Sequence, residues 1–413
     1  MLKGILTAAV SLTVIGSSDC RQVFAAEKEG NGVSNIAPGG SPAIAAGKNE
    51  HIYVVYEGAG KGTKLPDIFF SRSTDGARSW SVPGHVCTTN GISSDPDIAV
   101  ESNGAIDVVW SDTTVGDKTP DIYFARSTDE GTTWSKPVDI SKSPGASLVP
   151  AIATAPDNSI HVVWQDKTTG EQSPDIFYVS SPDPGKAWPA PVNVSRTPGA
   201  SSDPVIDVGS DGVIHVAWAD TSSGEDRPDI YYDRFSQGSW ATPEDVSNTP
   251  RISSFPAIAC GSESHINLCW SDNSKKEHAA DIWCAIAGKR GHFAKPLNIS
   301  STSGVSSQPA IAADKAGRVA IVWSDTSNAS SRPDIFVRVS LDGAKDFSAV
   351  SDVSNAAERA IHPDVCLVGP RMFVVWEDAT GKRRMLKVSH SELQEVPSRP
   401  AEKVDANIHE HGS

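Results

Sequence analysis

The sequence predicts an all-β fold, a seven-bladed β-propeller of four-stranded antiparallel blades closed by an N-terminal outer strand. Three observations carry that prediction. A proline at the head of an apolar strand recurs at Pro42, Pro96, Pro150, Pro204, Pro256, Pro309 and Pro363, at spacings of 52 to 54 residues. An aromatic residue ending a second strand recurs at Tyr56, Trp110, Trp164, Trp218, Trp270, Trp323 and Trp376. A Pro/Ala-Asp-Ile step recurs at Asp67, Asp121, Asp175, Asp229, Asp281 and Asp334. Three markers in one register mean like units, each too small to bury both its faces except against its neighbours.

Within one unit four strands are legible from β-branched and apolar runs between turn residues. In the second unit strand A is Asp97 to Val100, strand B is Ala105 to Trp110, strand C is Asp121 to Arg126, and strand D lies around Pro137 to Ile140. The last unit has strands A to C and then stops. At the other end of the chain, Asn31-Gly32-Val33-Ser34 followed by Pro38-Gly39 parallels Asn193-Val194-Ser195 followed by Pro198-Gly199. Residues around 27–36 are therefore expected to supply the missing outer strand of the seventh blade, closing the ring and removing exposed sheet edges.

The ends read differently from the repeats. Residues 1–26 carry Lys3, an apolar run and small residues at Ala25 and Ala26, the pattern of a secretory signal peptide; a lipid anchor at Cys20 would need a small or apolar residue before it, where Asp19 stands. The protein is expected to be secreted, periplasmic or cell-surface. The propeller is expected over 27–390, and the polar stretch 391–413 reads as a disordered tail whose His409-Glu410-His411 is solvated.

Composition narrows the function classes. A formal charge of −15 repels phosphate backbones, so nucleic acid is excluded as a partner, and no run after the N-terminus is long enough for a membrane helix. No CxxC or Cys/His cluster has metal-ligand spacing. Cys260, Cys269 and Cys284 fall on strands A, B and C of the fifth unit, and a disulfide between Cys269 and Cys284 is the pairing expected across adjacent strands.

Between strands C and D of the second unit stands Ser127-Thr128-Asp129-Glu130-Gly131-Thr132-Thr133-Trp134, with near copies at Ser73 to Trp80, Ser181 to Trp188 and Ser340 to Phe347. This run resembles the Asp-box, or BNR repeat, of sialidase-like β-propellers. Its residue types suit a self-bonded hairpin: Ser and Asp bond their own turn, Gly takes a positive φ, and the aromatic packs beneath. Because these hairpins are C-to-D turns, the functional face is expected on the opposite side, among the B-to-C and D-to-A loops.

That face carries a second repeat, Trp-x-Asp followed nine residues later by an Asp, as in Asp112 with Asp121 or Asp166 with Asp175. As ligands these carboxylates have the hard-oxygen chemistry of Ca²⁺. Their presence in blade after blade is the mark of a scaffold. His161 and His215 likewise read as packed strand residues. Function is expected where the repeat breaks: Tyr56-Glu57-Gly58 in place of Trp-x-Asp, Arg227 and Arg332 before the Pro-Asp step, and Arg251, Phe255, Arg359 and His362 at the entries to units five and seven.

Resemblance to sialidases implies an arginine triad for a substrate carboxylate and a Tyr nucleophile activated by Glu. Mapped here, the triad falls on Arg251, Arg359 and either Arg227 or Arg332, and the pair on Tyr56 and Glu57. The family's Phe/Tyr-Arg-Ile-Pro motif is absent, and neighbours on a strand point to opposite sides. The sequence reading is a non-catalytic binding or scaffold module for a glycan or a cell-surface protein; the alternative is a sialidase-like exo-glycoside hydrolase.

Overall fold

The structure is a computed structural model and describes residues 32–59, 65–114, 119–170, 173–183, 185–224, 227–274, 279–288, 291–328, 332–355, 359–380 and 383–393. The expected signal peptide, Cys20 and residues 394–413 of the expected tail lie outside them. Seven sheets of antiparallel strands form the ring. Blade 1 consists of Gly40–Ala46, Ile52–Ala59, Pro66–Ser73 and Gly84–His85, and blade 2 of Ser93–Val100, Ile106–Asp112, Asp121–Ser127 and Val138–Asp139. Blade 3 follows with Ser147–Thr154, Ile160–Asp166, Asp175–Ser181 and Val192–Asn193. Blades 4, 5 and 6 repeat the order from Ser201–Val208, Ser253–Cys260 and Ser306–Ala313. In blade 4 the outer position is shared by Ser239–Trp240 and Glu244–Asp245, both paired with Asp229–Ser236.

Blade 7 closes the ring as expected. Arg359–Val368, Arg371–Thr380 and Arg383–Glu392 are its strands A to C, and Ser34–Pro38 pairs antiparallel with the last of them, Ser34 opposite Val388. The closing strand sits a few residues later than 27–36. The ordered ring also runs past residue 390, with Leu393 buried against blade 7. Inner strand Gly40–Ala46 touches both Ser93–Val100 and Arg359–Val368, which joins the first blade to the last.

The repeated proline does not open strand A as expected; it lies inside it. Register slips between Ser94 and Asp97, and at the matching place in every blade, a β-bulge at each X-Pro step. Proline brings no N–H to the ladder, so the bulge is where it fits. The residue before it is left-handed in all seven blades: Ser41, Asp95, Val149, Asp203, Phe255, Gln308 and His362 have φ between 47° and 53°.

The repeated aromatics are the core. Tyr56 and the six tryptophans at its position are at most 1% exposed and pack between blades, as Trp164 of blade 3 does with Val109, Ile122 and Phe124 of blade 2. The Ser-x-Asp hairpins also bind blades together. Asp129 accepts the Thr133 amide at 2.8 Å and Thr133 Oγ1 at 2.6 Å, Ser127 Oγ accepts the Gly131 amide at 2.9 Å, and Trp134 meets Phe70 of blade 1 edge-on at 5.3 Å. Hydrogen bonds from Thr133 hold Asp129 down at about 2. Gly131 has φ 77° and abuts the Phe70 ring, so a side chain there would strike it. Cys269 and Cys284 face each other across adjacent strands with Cα atoms 4.1 Å apart and form the expected disulfide; Cys87, Cys260 and Cys366 are free. Among the described residues no helix is long and apolar enough to cross a membrane.

Candidate functional site

The Trp-x-Asp carboxylates are occupied by the protein itself. Asp166 Oδ2 accepts from Trp164 Nε1 at 2.9 Å and Ser147 Oγ at 2.9 Å, while Oδ1 accepts the Thr168 amide at 2.8 Å and Ser143 Oγ at 3.0 Å. Asp112, Asp220 and Asp325 repeat the indole, inner-strand serine and loop-amide contacts. The second carboxylate fastens strand D to strand C: Ser195 Oγ donates to Asp175 at 2.9 Å and accepts the Ile176 amide at 3.1 Å, and Ser141 does the same for Asp121 and Ile122. These are scaffold contacts, since they join a carboxylate to the backbone and side chains of its own blade. His161 is also structural. Its Nδ1 lies 2.7 Å from Tyr178 Oη, and burial pushes the imidazole down to about 4.

Around the channel mouth the seven left-handed residues and their prolines line a funnel of about 390 Å³. The backbone there is a strict repeat, yet the side chains are Ser, Asp, Val, Asp, Phe, Gln and His. Phe255 and His362, singled out in the sequence, belong to this ring; the other five went unnoticed. The signal was present, for the residue before the repeated proline is the variable position of an otherwise repeated stretch.

Blade 1 dismantles the scaffold. Tyr56 stands for the tryptophan, Gly58 for the Trp-x-Asp carboxylate, and Cys87 for the serine that fastens strand D. With Gly58 in place of an aspartate, Phe69 packs directly over the backbone, so that a Cβ on Gly58 would lie 2.7 Å from its ring. A cavity of about 800 Å³ opens there, lined by Tyr56, Glu57, Phe69, His85 and Arg384 among others. It is roomier than the channel mouth.

Glu57 and Glu377 are the residues after the aromatic in blades 1 and 7, where the other blades have Ser, Gln or Ala. Each reaches the left-handed amide of the next blade: Glu57 Oε1 accepts the Asp95 N–H at 3.0 Å, and Glu377 Oε2 accepts the Ser41 N–H at 3.4 Å. Arg384 lies between them, 3.4 Å from Glu377 and 3.9 Å from Glu57, and His362 Nδ1 is 3.5 Å from Glu377. Burial raises the Glu57 carboxyl above its usual range, and the Asp95 amide and Arg384 offset only part of this. Burial acts the same way on Glu377, but His362, Arg384 and the Ser41 amide outweigh it and hold that carboxyl below its usual range.

The predicted residues are thus dispersed. Tyr56 and Glu57 line the blade 1 cavity, but the Tyr56 hydroxyl is buried 3.4 Å from Ser71 Oγ, and burial pushes it up to about 12. Arg227 and Arg251 come together in a separate pocket of about 480 Å³ at the junction of blades 4 and 5. Arg332 and Arg359 line neither that pocket, nor the channel mouth, nor the blade 1 cavity. The expected triad is therefore not brought together: its members belong to blades 4 to 7, and sharing a face of a ring is not proximity. Glu377, Arg384, Phe69 and His85 were missed because strand residues are exposed only where the neighbouring loop gives way.

By sequence, neither a family model nor a curated protein matches this chain. Its fold is similar to an ulvan lyase of a polysaccharide lyase family, with TM-score 0.61 and 13% identity over 86% of this chain and 94% of that one. It is also similar to a Penicillium chrysogenum α-L-arabinanase complexed with arabinobiose, with TM-score 0.51 and 13% identity over 74% and 94%. A Hadza microbial sialidase matches with TM-score 0.50 and 12% identity over 80% and 74%. At these identities the likeness is one of fold, a propeller shared with glycan-acting proteins.

Proposed function

We propose that this chain is an exported, non-catalytic glycan-binding propeller of the Asp-box kind, and that its sugar site is the blade 1 cavity. One observation carries the reading: two of the three scaffold replacements in blade 1, Tyr56 and Gly58, line the cavity of about 800 Å³, where an apolar ring face stands beside charged hydrogen-bonding groups. A pyranose needs both, since its C–H face packs on an aromatic and its hydroxyls bond to carboxylate and guanidinium. The buried Tyr56 hydroxyl, pushed up to about 12, argues against a tyrosine nucleophile.

Calorimetric titration with a panel of neutral and acidic oligosaccharides tests the proposal. Phe69→Ala and Glu57→Gln should each weaken binding about tenfold or more without new reducing ends appearing. Unchanged affinity in both variants would sink the cavity as the site. A hydrolase reading has one observation in its favour, the opposite displacement of Glu57 and Glu377, which is how an acid and a base are set apart. Release of reducing sugar by the parent, abolished in Glu57→Gln, would establish it instead.

A further inference from the structure

We propose that the junction of blades 4 and 5 is a second binding pocket, built to take an oxyanion, either a carboxylate or a sulfate ester, carried by the ligand. The pocket of about 480 Å³ is lined by Arg227, Pro250, Arg251, Ile252 and Asn273, with no carboxylate among them. In a chain of net charge −15 a wall that, among the described residues, offers guanidinium donors and no acid selects for anions.

The pocket exists because two repeat positions have been replaced. Five residues before the repeated proline, blades 2, 3, 4 and 6 carry Gly91, Gly145, Gly199 and Gly304. A Cβ on Gly91 would lie 2.6 Å from the Thr114 backbone nitrogen, and the other three would come closer still to Thr168, Ser222 and Ser327. Those blades therefore close the D-to-A loop onto the next B-to-C loop, and only glycine fits. Blade 5 has Arg251 there; its loop keeps the bond from the Asn273 N–H to the Ile252 carbonyl at 3.2 Å, and the Arg251 side chain lines the pocket where the other blades have the bare glycine contact. Among the described residues Arg251 has no hydrogen-bond or ion-pair partner.

The second replacement is Asn273, where blades 2, 4 and 6 have Thr113, Thr221 and Thr326. In those blades the threonine hydroxyl accepts the D-to-A loop amide, as Thr113 Oγ1 does from Ile92 at 2.8 Å. Asn273 Oδ1 keeps this contact with Ile252 at 3.1 Å, and the carboxamide adds an N–H₂ donor to the same wall. Arg227 is held at the rim by its bond from Nη1 to the Pro250 carbonyl at 3.0 Å. Two guanidinium groups and an amide donor thus converge on one opening. The proposal rests on the glycan reading only for what carries the oxyanion.

The test uses variants that restore the repeat and so are expected to fold: Arg251→Gly, Arg227→Thr and the two together. Galacturonate trisaccharide, its carboxyl-reduced neutral form and a sulfated galactose trisaccharide are titrated by calorimetry against parent and variants, with melting temperatures taken without ligand. The parent should bind the charged sugars at least tenfold more tightly than the neutral one, with an affinity that falls as salt rises. The double variant should lose that preference while melting like the parent. Preference for uronate over sulfate, or the reverse, identifies the source. Equal binding of charged and neutral sugars by the parent, or a preference retained in the double variant, overturns the pocket and leaves the glycan reading intact. If no sugar binds, sodium sulfate is titrated while the Ile252 amide and the arginine Nε signals are followed by NMR. Sulfate-dependent shifts in the parent but not in the double variant would uphold the pocket and sink the glycan reading alone, whereas no shifts would overturn the pocket.

Discussion

Blades 1 and 3 are built on one register yet differ in what their polar groups face. In blade 3 the Trp164 indole, two serines and a loop amide all end on Asp166, and the Asp175–Ser195–Ile176 chain fastens the outer strand. Every one of those groups is satisfied from within the blade. In blade 1 the corresponding positions are Tyr56, Gly58 and Cys87, and Glu57 reaches out to the neighbouring blade. The difference teaches that a repeat protein gains a site by losing scaffold: each deleted internal partner frees space or a polar group for something outside.

The largest effect is expected from breaking the regular blade. Asp166→Ala strands the buried Trp164 Nε1 and Ser147 Oγ and two further donors, at ~1–3 kcal/mol for each one fully buried. A loss of about 4 kcal/mol in chemical denaturation is expected. A loss below about 1 kcal/mol would mean that the carboxylate is not scaffold.

Blade 5, which lacks the Ser-x-Asp hairpin, carries the disulfide instead. Cys269 and Cys284 are 15 residues apart, a loop whose closure is worth ~3 kcal/mol in the chain-entropy account. Reduction should lower the melting temperature accordingly, and a melt indifferent to reductant would show that the strand pairing alone sets the stability of this blade.

Blades 3 and 4 also bury His161 and His215, each against a tyrosine hydroxyl at 2.7 Å and each pushed down to about 4 by burial. The unfolded chain protonates these rings near 6.5, so their contribution is complete above that pH and is lost as pH falls toward 4, at roughly 3 kcal/mol per ring. Asp97, Asp207 and Asp364 act with the opposite sign. They are half-buried, and desolvation raises them to about 6, 6 and 7, so they cost stability at neutral pH and recover it as pH falls toward their unfolded value. The parent's acid-side curve is the difference of the two sets. His161→Gln with His215→Gln should remove only the first, so the variant gains on the parent between pH 6.5 and 4. Parallel curves would show that neither imidazole is held neutral.

The blade count, the closing strand, the buried aromatics and the Cys269–Cys284 pair were legible because each is a matter of spacing and register. The bulge at the repeated proline was not, since proline marks a place in a strand without saying whether it begins or bends it. The arginines illustrate a related limit. Sequence places Arg227, Arg251, Arg332 and Arg359 on one face, but the ring divides them between two junctions, Arg227 with Arg251 at blades 4 and 5 and Arg332 with Arg359 at blades 6 and 7, where the Ala360 N–H bonds the Pro333 carbonyl at 2.8 Å. Glu57 was readable as a break in the pattern, whereas its link through Arg384 to Glu377 depends on the first and last blades meeting.

The smallest expected effect is the sharpest test of the contrast between blades 1 and 3. In five blades a serine at the end of strand D donates to the Asp of the Asp-Ile step and accepts the following isoleucine amide. Blade 1 has Cys87 there, its thiol pushed up to about 12 by burial and by the Asp112 and Asp67 charges. Asp67 Oδ2 is left buried without a hydrogen bond; His85 Nδ1 stands 3.7 Å away, and Thr89 N–H reaches only Oδ1, at 3.5 Å. Cys87→Ser should therefore stabilise the protein by about 1 kcal/mol, since a neutral donor replaces an unmet demand. Oligosaccharide affinity should stay within about twofold, because Cys87 does not line the cavity. A variant that is more stable but binds tenfold more weakly would show that the unmet Asp67 carboxylate is held in reserve for the ligand through His85. A less stable variant would mean that blade 1 has repacked around sulfur and that its departure from the repeat is structural.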